Sequence, residues 1–240
     1  MSQTILLTSA TEDSEEILDH LDNPDVLHTP LEVYSLKTHQ PEFSNVLGGL
    51  GKFENIVHSN IRNARFFLEQ VQRLDEMEAL ENTLNLTYDK STFIFLEEQG
   101  IAAVHPQNGS KPIDVVELML RLQRLGKTLY PCGSHKREDF PGLLKELDIP
   151  VTELDVFDLE GPSKDDVVDY QQEVAEKQLD SVIFHSRRSV NRTFAAFPEL
   201  DFENMRLITA DKGITNQLEE KGYHADAEAE GSWESVAELV

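Results

Sequence analysis

With one cysteine, one tryptophan and no long apolar run, the sequence lacks what several protein classes depend on. Cys132 alone allows no internal disulfide and no cluster of thiolate ligands. No apolar run approaches the roughly 18 residues that a membrane-spanning helix needs. The opening MSQTILLTSATEDSEE has neither the basic region nor the apolar length of a secretion signal. The expectation is a cytoplasmic protein that engages no membrane. Basic residues are scarce too: 21 Lys and Arg face 45 Asp and Glu, a formal net charge of −24. Nucleic-acid affinity rests largely on neutralising phosphates with Lys and Arg, so a nucleic-acid partner is not expected. The same balance argues against docking on an anionic membrane surface. Catalytic signatures are missing as well. Without G-x-S-x-G there is no nucleophile elbow. Without H-E-x-x-H or any ligand-like spacing among the eight histidines, no metal site is expected. Without G-x-G-x-x-G or a P-loop, the simplest nucleotide readings fall away.

What is present is a repeat. Residues 5–36 align without a gap on residues 128–159, and both end on one phrase, TPLEVYSL in the first and TELDVFDL in the second. IVHSNIRNARFFLEQV at 56–71 returns as VIFHSRRSVNRTFAAF at 182–197 in outline, with His58-Ser59 over His185-Ser186. Asp89-Lys90 and LEE-x-Gly100 return as Asp211-Lys212 and LEE-x-Gly222. Four matches in one order at nearly constant offsets predict duplication of a domain-sized unit, a period far beyond the roughly 20–50 residues of solenoid repeats. At 39% hydrophobic with 12 Phe, the chain can build a sizeable core.

Each copy alternates short apolar runs with amphipathic ones. ILLT (5–8), NIVH (55–58), the segment 128–131 and VIFH (182–185) suit buried parallel strands, each followed by a polar turn and a helix. Ser9 with Glu12 and Ser163 with Asp166 have capping-box spacing, and Gly100 and Gly222 stand where a helix ends left-handed. The segments 37–52 and 160–163 read as loops or linkers. The pattern predicts the α/β class: two similar parallel-sheet domains of flavodoxin-like type. Ligands of such sheets gather at the C-terminal strand ends, where helix N-termini offer free N–H groups to anions. Thr8, Ser9, Ser59, Asn60, Ser134, Lys136, Arg137, Ser186, Arg187 and Arg188 fall there. They suit a ligand with several carboxylates, although such serines also cap helices. His185 and Ser186 make no catalytic dyad by this reading, since neighbours on a strand point to opposite faces. Buried packing is expected for Cys132.

These phrases resemble the uroporphyrinogen-III synthase family. TLYPCGSHKRE (128–138) is similar to its strand–PCG-x-x-KRE turn, the segment through VTELDVF (151–157) to its return strand, VIFHSRRSV to its F-x-S-P-x-x-V strand–turn–helix, and LTSA (7–10) to its V-T-R-P. The resemblance implies two α/β domains joined by two antiparallel linker strands. Residues 1–30 with 161–240 would form one domain, 38–151 the other, and 31–37 and 152–160 the linkers. It implies cyclisation of the linear tetrapyrrole hydroxymethylbilane with inversion of its last ring, through azafulvene and spiro-pyrrolenine intermediates, without cofactor or metal and as a monomer. Lys212 joins the strand-end residues as a substrate contact. Two departures stand out. Phe157 occupies the position of the family's return-strand tyrosine and cannot donate a proton, which leaves His185 as a candidate donor. Asp211-Lys212-Gly213-Ile214-Thr215 replaces G-P-T-T-A. These departures favour an alternative on the same fold, a non-enzymatic anion-binding or regulatory module.

Overall fold

The computed structural model describes residues 4–21, 25–37, 45–46, 48–107, 109–134 and 140–240. The chain divides into two compact units, Met1–Tyr34 with Glu160–Val240, and Ser35–Leu159. In chain order the first elements are β1 (Thr4–Leu7), α1 (Thr11–Leu18), β2 (Asp25–His28) and β3 (Val33–Leu36). Then come β4 (Asn55–His58), α2 (Ile61–Arg73), α3 (Met77–Glu81), β5 (Leu84–Thr87), α4 (Lys90–Glu98) and β6 (Ala103–Val104). They are followed by α5 (Pro112–Leu122), β7 (Thr128–Gly133), α6 (Phe140–Glu146), β8 (Val151–Glu160) and α7 (Lys164–Glu176). The chain closes with β9 (Ser181–Phe184), α8 (Arg187–Ala196), β10 (Arg206–Thr209), α9 (Lys212–Glu219), β11 (Ala227–Glu228) and α10 (Trp233–Ala237).

The first unit carries a sheet ordered β11-β10-β9-β1-β2, parallel in its registers, with Leu6 opposite both Leu27 and Val182. The second sheet runs β3-β8-β7-β4-β5-β6, and β4 pairs in parallel with β5 and β7, as β7 does with β8. This is the expected α/β class. Parallel strands are covered by helices on both faces, so their residues are apolar without alternation. Ile5, Leu6, Leu7, Val182, Ile183 and Phe184 are all 0% exposed and pack with Ile17, Val190, Ile214 and Leu218 from α1, α8 and α9. Val57, Leu86 and Tyr130 pack with Val115, Met119, Phe140 and Leu144 in the other unit. Each such side chain contributes about 1.5–3 kcal/mol on burial.

Helix starts follow the capping residues. The Ser163 hydroxyl accepts from Asp166 N–H and Asp166 answers to Ser163 N–H, the expected capping box. Its counterpart at Ser9 does not form. Asp13 and Ser14 N–H both donate to Ala10 O, so α1 begins at Thr11, and the Ser9 hydroxyl lies 2.7 Å from that of Ser14. Gly100 and Gly222 end their helices with φ of 77° and 89°, left-handed as expected. The tripeptide Gly161–Ser163 connects β8 to α7 without regular structure, whereas half of the expected loop at 37–52 lies outside the described residues and Leu50–Lys52 within it forms a 3-10 turn.

The twin phrases take different forms. TELDVFDL lies within one ten-residue strand, β8. TPLEVYSL is interrupted, because Pro30 has no N–H for a ladder. Thr29 and Leu31 N–H still reach Leu7 O and Thr8 O at 2.9 and 3.1 Å, and the strand resumes at Val33 as the neighbour of β8.

His58 ends β4 with no exposed surface. Asn85 gives its amide N–H groups to the carbonyls of Leu80, Thr83 and Ala102, so its oxygen faces His58 Nε2 at 3.3 Å and requires a proton there. Burial pushes the imidazole down to about 4, against the opposing Asn85 contact. The unfolded chain binds this proton near pH 6.5 and the folded chain only near pH 4. Stability is therefore whole above pH 6.5 and falls on acidification through that window, by about 3 kcal/mol at its limit. In urea unfolding at pH 7 and pH 4.5, His58→Gln should lose less stability on acidification than the parent. Equal losses would remove His58 as a source of acid sensitivity.

Candidate functional site

The order β2-β1-β9 places β1 and β9 side by side at the point where the strand order reverses, the position at which open α/β sheets bind ligands. Six of the expected site residues follow these two strands, Thr8 and Ser9 after β1 and His185, Ser186, Arg187 and Arg188 after β9. Thr8 and Ser9 have no exposed surface, and their hydroxyls are taken up by Thr193 at 3.1 Å and Ser14 at 2.7 Å. They brace the strand end from inside. His185 and Ser186 follow β9, and here the expected opposition of their side chains does not hold. The strand ends at Phe184, so alternation stops before the pair, and both side chains turn to one carboxylate, that of Glu32.

Glu32 was not singled out from the sequence, yet it organises the site. Its side chain is 3% exposed, with His185 Nε2 at 3.3 Å from Oε2 and the Ser186 hydroxyl donating to Oε1 at 3.5 Å. Burial alone would push this carboxyl up. The His185 hydrogen bond, then the charges of His185, Arg192 and Arg188, hold it below the usual carboxylate value. Ser186 also caps α8, accepting from Ser189 N–H at 2.9 Å. Arg192 is likewise new: its Nη1 donates to Leu31 O and Glu160 O, each at 2.8 Å, tying two distant chain segments to α8.

Asp13 stands nearby and accepts from the Tyr34 hydroxyl at 2.9 Å. Asp13, Glu32 and His185 each bring a donor atom within 4.8 Å of the others, so the chain does assemble a ligand-like group that no local spacing announces. A cation there would have to displace Tyr34, His185 and Ser186 from these carboxylates and face Arg188 and Arg192. The grouping is better suited to holding negative charge than to taking up a metal.

The remaining basic residues point elsewhere. Arg187 is exposed and donates from Nε to Gly213 O at 3.1 Å, linking the first turns of α8 and α9. Lys212 is exposed, 3.6 Å from Glu228. Asp211, in the segment that departs from G-P-T-T-A, caps α9 by accepting from Ile214 N–H at 2.9 Å.

In the other unit, Ser59 is buried and accepts from the Asn63 amide at 2.6 Å, while Asn60 caps α2 by accepting from Asn63 N–H at 2.9 Å. Ser134, half-buried beyond β7, donates its N–H to Phe157 O at 3.1 Å. Phe157 is 7% exposed, lies over Gly133 where a Cβ would meet its ring at 2.6 Å, and contacts Phe66 with centroids 4.8 Å apart. Its ring is a packing element. Cys132, in β7 beside β8, is buried with its thiol 3.6 Å from Leu154 O, as expected of a packing thiol. Lys136 and Arg137 lie outside the described residues.

Glu32 had one sequence signal: the twin phrases carry an acid at the same place, Glu32 in one and Asp155 in the other. Nothing local paired it with residue 185.

The comparisons with known proteins agree with this architecture. The sequence model of the family described as uroporphyrinogen-III synthase HemD matches residues 28–234. The solved uroporphyrinogen-III synthetase from Helicobacter pylori superposes with a TM-score of 0.71 at 14% identity, over 100% of this chain and 98% of its own. A mutant uroporphyrinogen III synthase from the extremely thermophilic bacterium Thermus thermophilus gives 0.59 at 13% identity, over 99% and 97%. At such identities the two structures speak for the fold. Among curated proteins, none matches the sequence significantly. The family match spans most of the chain, and the chain belongs to the uroporphyrinogen-III synthase family.

Proposed function

We propose that the protein is a uroporphyrinogen-III synthase of tetrapyrrole biosynthesis, a monomeric cytoplasmic enzyme acting on hydroxymethylbilane. The family match over residues 28–234 is the observation that carries this reading. The hydroxymethyl oxygen leaves as water to give an azafulvene, the last ring attacks through its substituted carbon, and the spiro-pyrrolenine fragments and recloses with that ring inverted. Substrate and product differ only by water, so the conversion calls for no redox partner. Uncatalysed closure gives the uninverted isomer. The protein's main task is therefore to hold a flexible polycarboxylate in one reactive geometry and to keep water from the intermediate.

Helix N-termini at the strand ends suit the substrate's carboxylates. Arg187 and Lys212 are exposed cations at such places in the first unit, and Lys136 and Arg137 join them as proposed contacts. No helix among the described residues is long and apolar enough to cross a membrane. The alternative of a non-enzymatic anion-binding module draws on Phe157, which packs as a core residue where a proton donor was expected.

Freshly made hydroxymethylbilane, incubated with the purified protein and oxidised, should yield the isomer III porphyrin. Isomer I alone, formed at the protein-free rate, would leave the non-enzymatic reading. In the same assay Arg187→Ala should lower kcat/KM about 10- to 100-fold, the equivalent of one hydrogen bond to a charged group. Its Tm should stay close to that of the parent, as for an exposed side chain. Unchanged kinetics would remove Arg187 from the substrate contacts.

A further inference from the structure

A carboxylate as buried as Glu32 is costly unless opposite charge and hydrogen-bond donors surround it. Apart from the Asp13 carboxylate, which the Tyr34 hydroxyl engages, its surroundings have the composition of an anion site: an imidazole, a hydroxyl at the cap of a ten-residue helix, and the charges of Arg188 and Arg192. The position agrees too. Glu32 meets the positive end of α8 at the C-terminal end of β9, beside the strand-order reversal, where an open α/β sheet holds an anionic ligand. Its contacts of 3.3 and 3.5 Å are long for hydrogen bonds, and the His185 contact comes first among the groups that keep the carboxylate ionised, ahead of the surrounding charges. His185 Nδ1 is buried without a partner, so the ring engages Glu32 through one nitrogen only. The equivalent His58 faces the neutral amide of Asn85 instead.

We propose that Glu32 is a resident carboxylate: it fills the anion position at the N-terminus of α8 and keeps substrate carboxylates out of it. The side chain comes from the segment joining β2 to β3, 153 residues before His185 in sequence. It places a negative charge beside His185, Arg188 and Arg192, while Arg187 and Lys212 remain exposed among the described residues. Exclusion of substrate rests on the synthase reading above; occupation of the anion position does not.

Removing the side chain should open a slot shaped and charged for a small carboxylate. In Glu32→Ala, sodium acetate should raise Tm by several degrees beyond sodium chloride at equal ionic strength, because a ligand that binds only the folded state stabilises it. The parent and Glu32→Gln, whose slots are full, should respond to the two salts alike. Equal responses in Glu32→Ala would overturn the proposal. A second measurement covers poor folding of that variant. Arg188→Ala should lower Tm in the parent but raise it in Glu32→Gln, where the arginine has lost its counter-charge; a change of the same sign in both would also overturn it. Finally, a porphyrin octacarboxylate should bind Glu32→Gln at least tenfold more tightly than the parent. Equal affinity would refute the exclusion of substrate, and because the acetate experiment reads stability alone, its outcome is separable from failure of the synthase reading.

Discussion

A parallel strand cannot reach its neighbour through a tight turn, and the rest of this structure follows from that constraint. Every step between adjacent parallel strands needs a crossover, usually helical, and each crossover delivers a helix N-terminus to the C-terminal end of a strand. Polar caps are required there because the first N–H groups of a helix have no internal partner. Asn60, Asp89, Ser186 and Asp211 meet that requirement at the ends of β4, β5, β9 and β10. The same ends are also the places where an anion is best received. Structure and function thus compete for one set of groups. Thr8, Ser9 and Ser59 have gone to structure, with buried hydroxyls held by neighbouring side chains.

The repeated phrase makes the two His-Ser strand ends comparable, and in the structure their surroundings differ. After β4, an imidazole without access to water faces an amide and resists protonation. After β9, the corresponding imidazole faces an ionised carboxylate among arginines. The sequence differs at few positions: Asn60 gives way to Arg187, Ile61 to Arg188, and the exposed Arg65 to the half-buried Arg192. The electrical difference is large, because a carboxylate from elsewhere in the chain enters only the second environment. A similar difference separates the twin phrases, where one proline divides the first into two pieces while the second stays a single strand.

The amino-acid sequence by itself determined the α/β class, several of the strands, the helix start at Ser163 and the places where helix N-termini collect. Those properties are local: apolar runs, capping pairs such as Ser163 with Asp166, and glycines such as Gly100 and Gly222 act over a few residues. One of them misled, since alternation along a strand was carried one residue too far at His185. Local pattern could not show that Glu32 and Asp13 meet His185, that Arg192 ties Leu31 to Glu160, or that Arg187 lies against Gly213. Those meetings arise from strand order, which pairs Ile5 of β1 with Ser181 of β9 although most of the chain separates them in sequence. Burial and charge then act on whatever is brought together. Tertiary structure alone decided which strand-end groups serve the fold and which remain open to a ligand, because electrostatic contacts depend on distance in space and not along the chain.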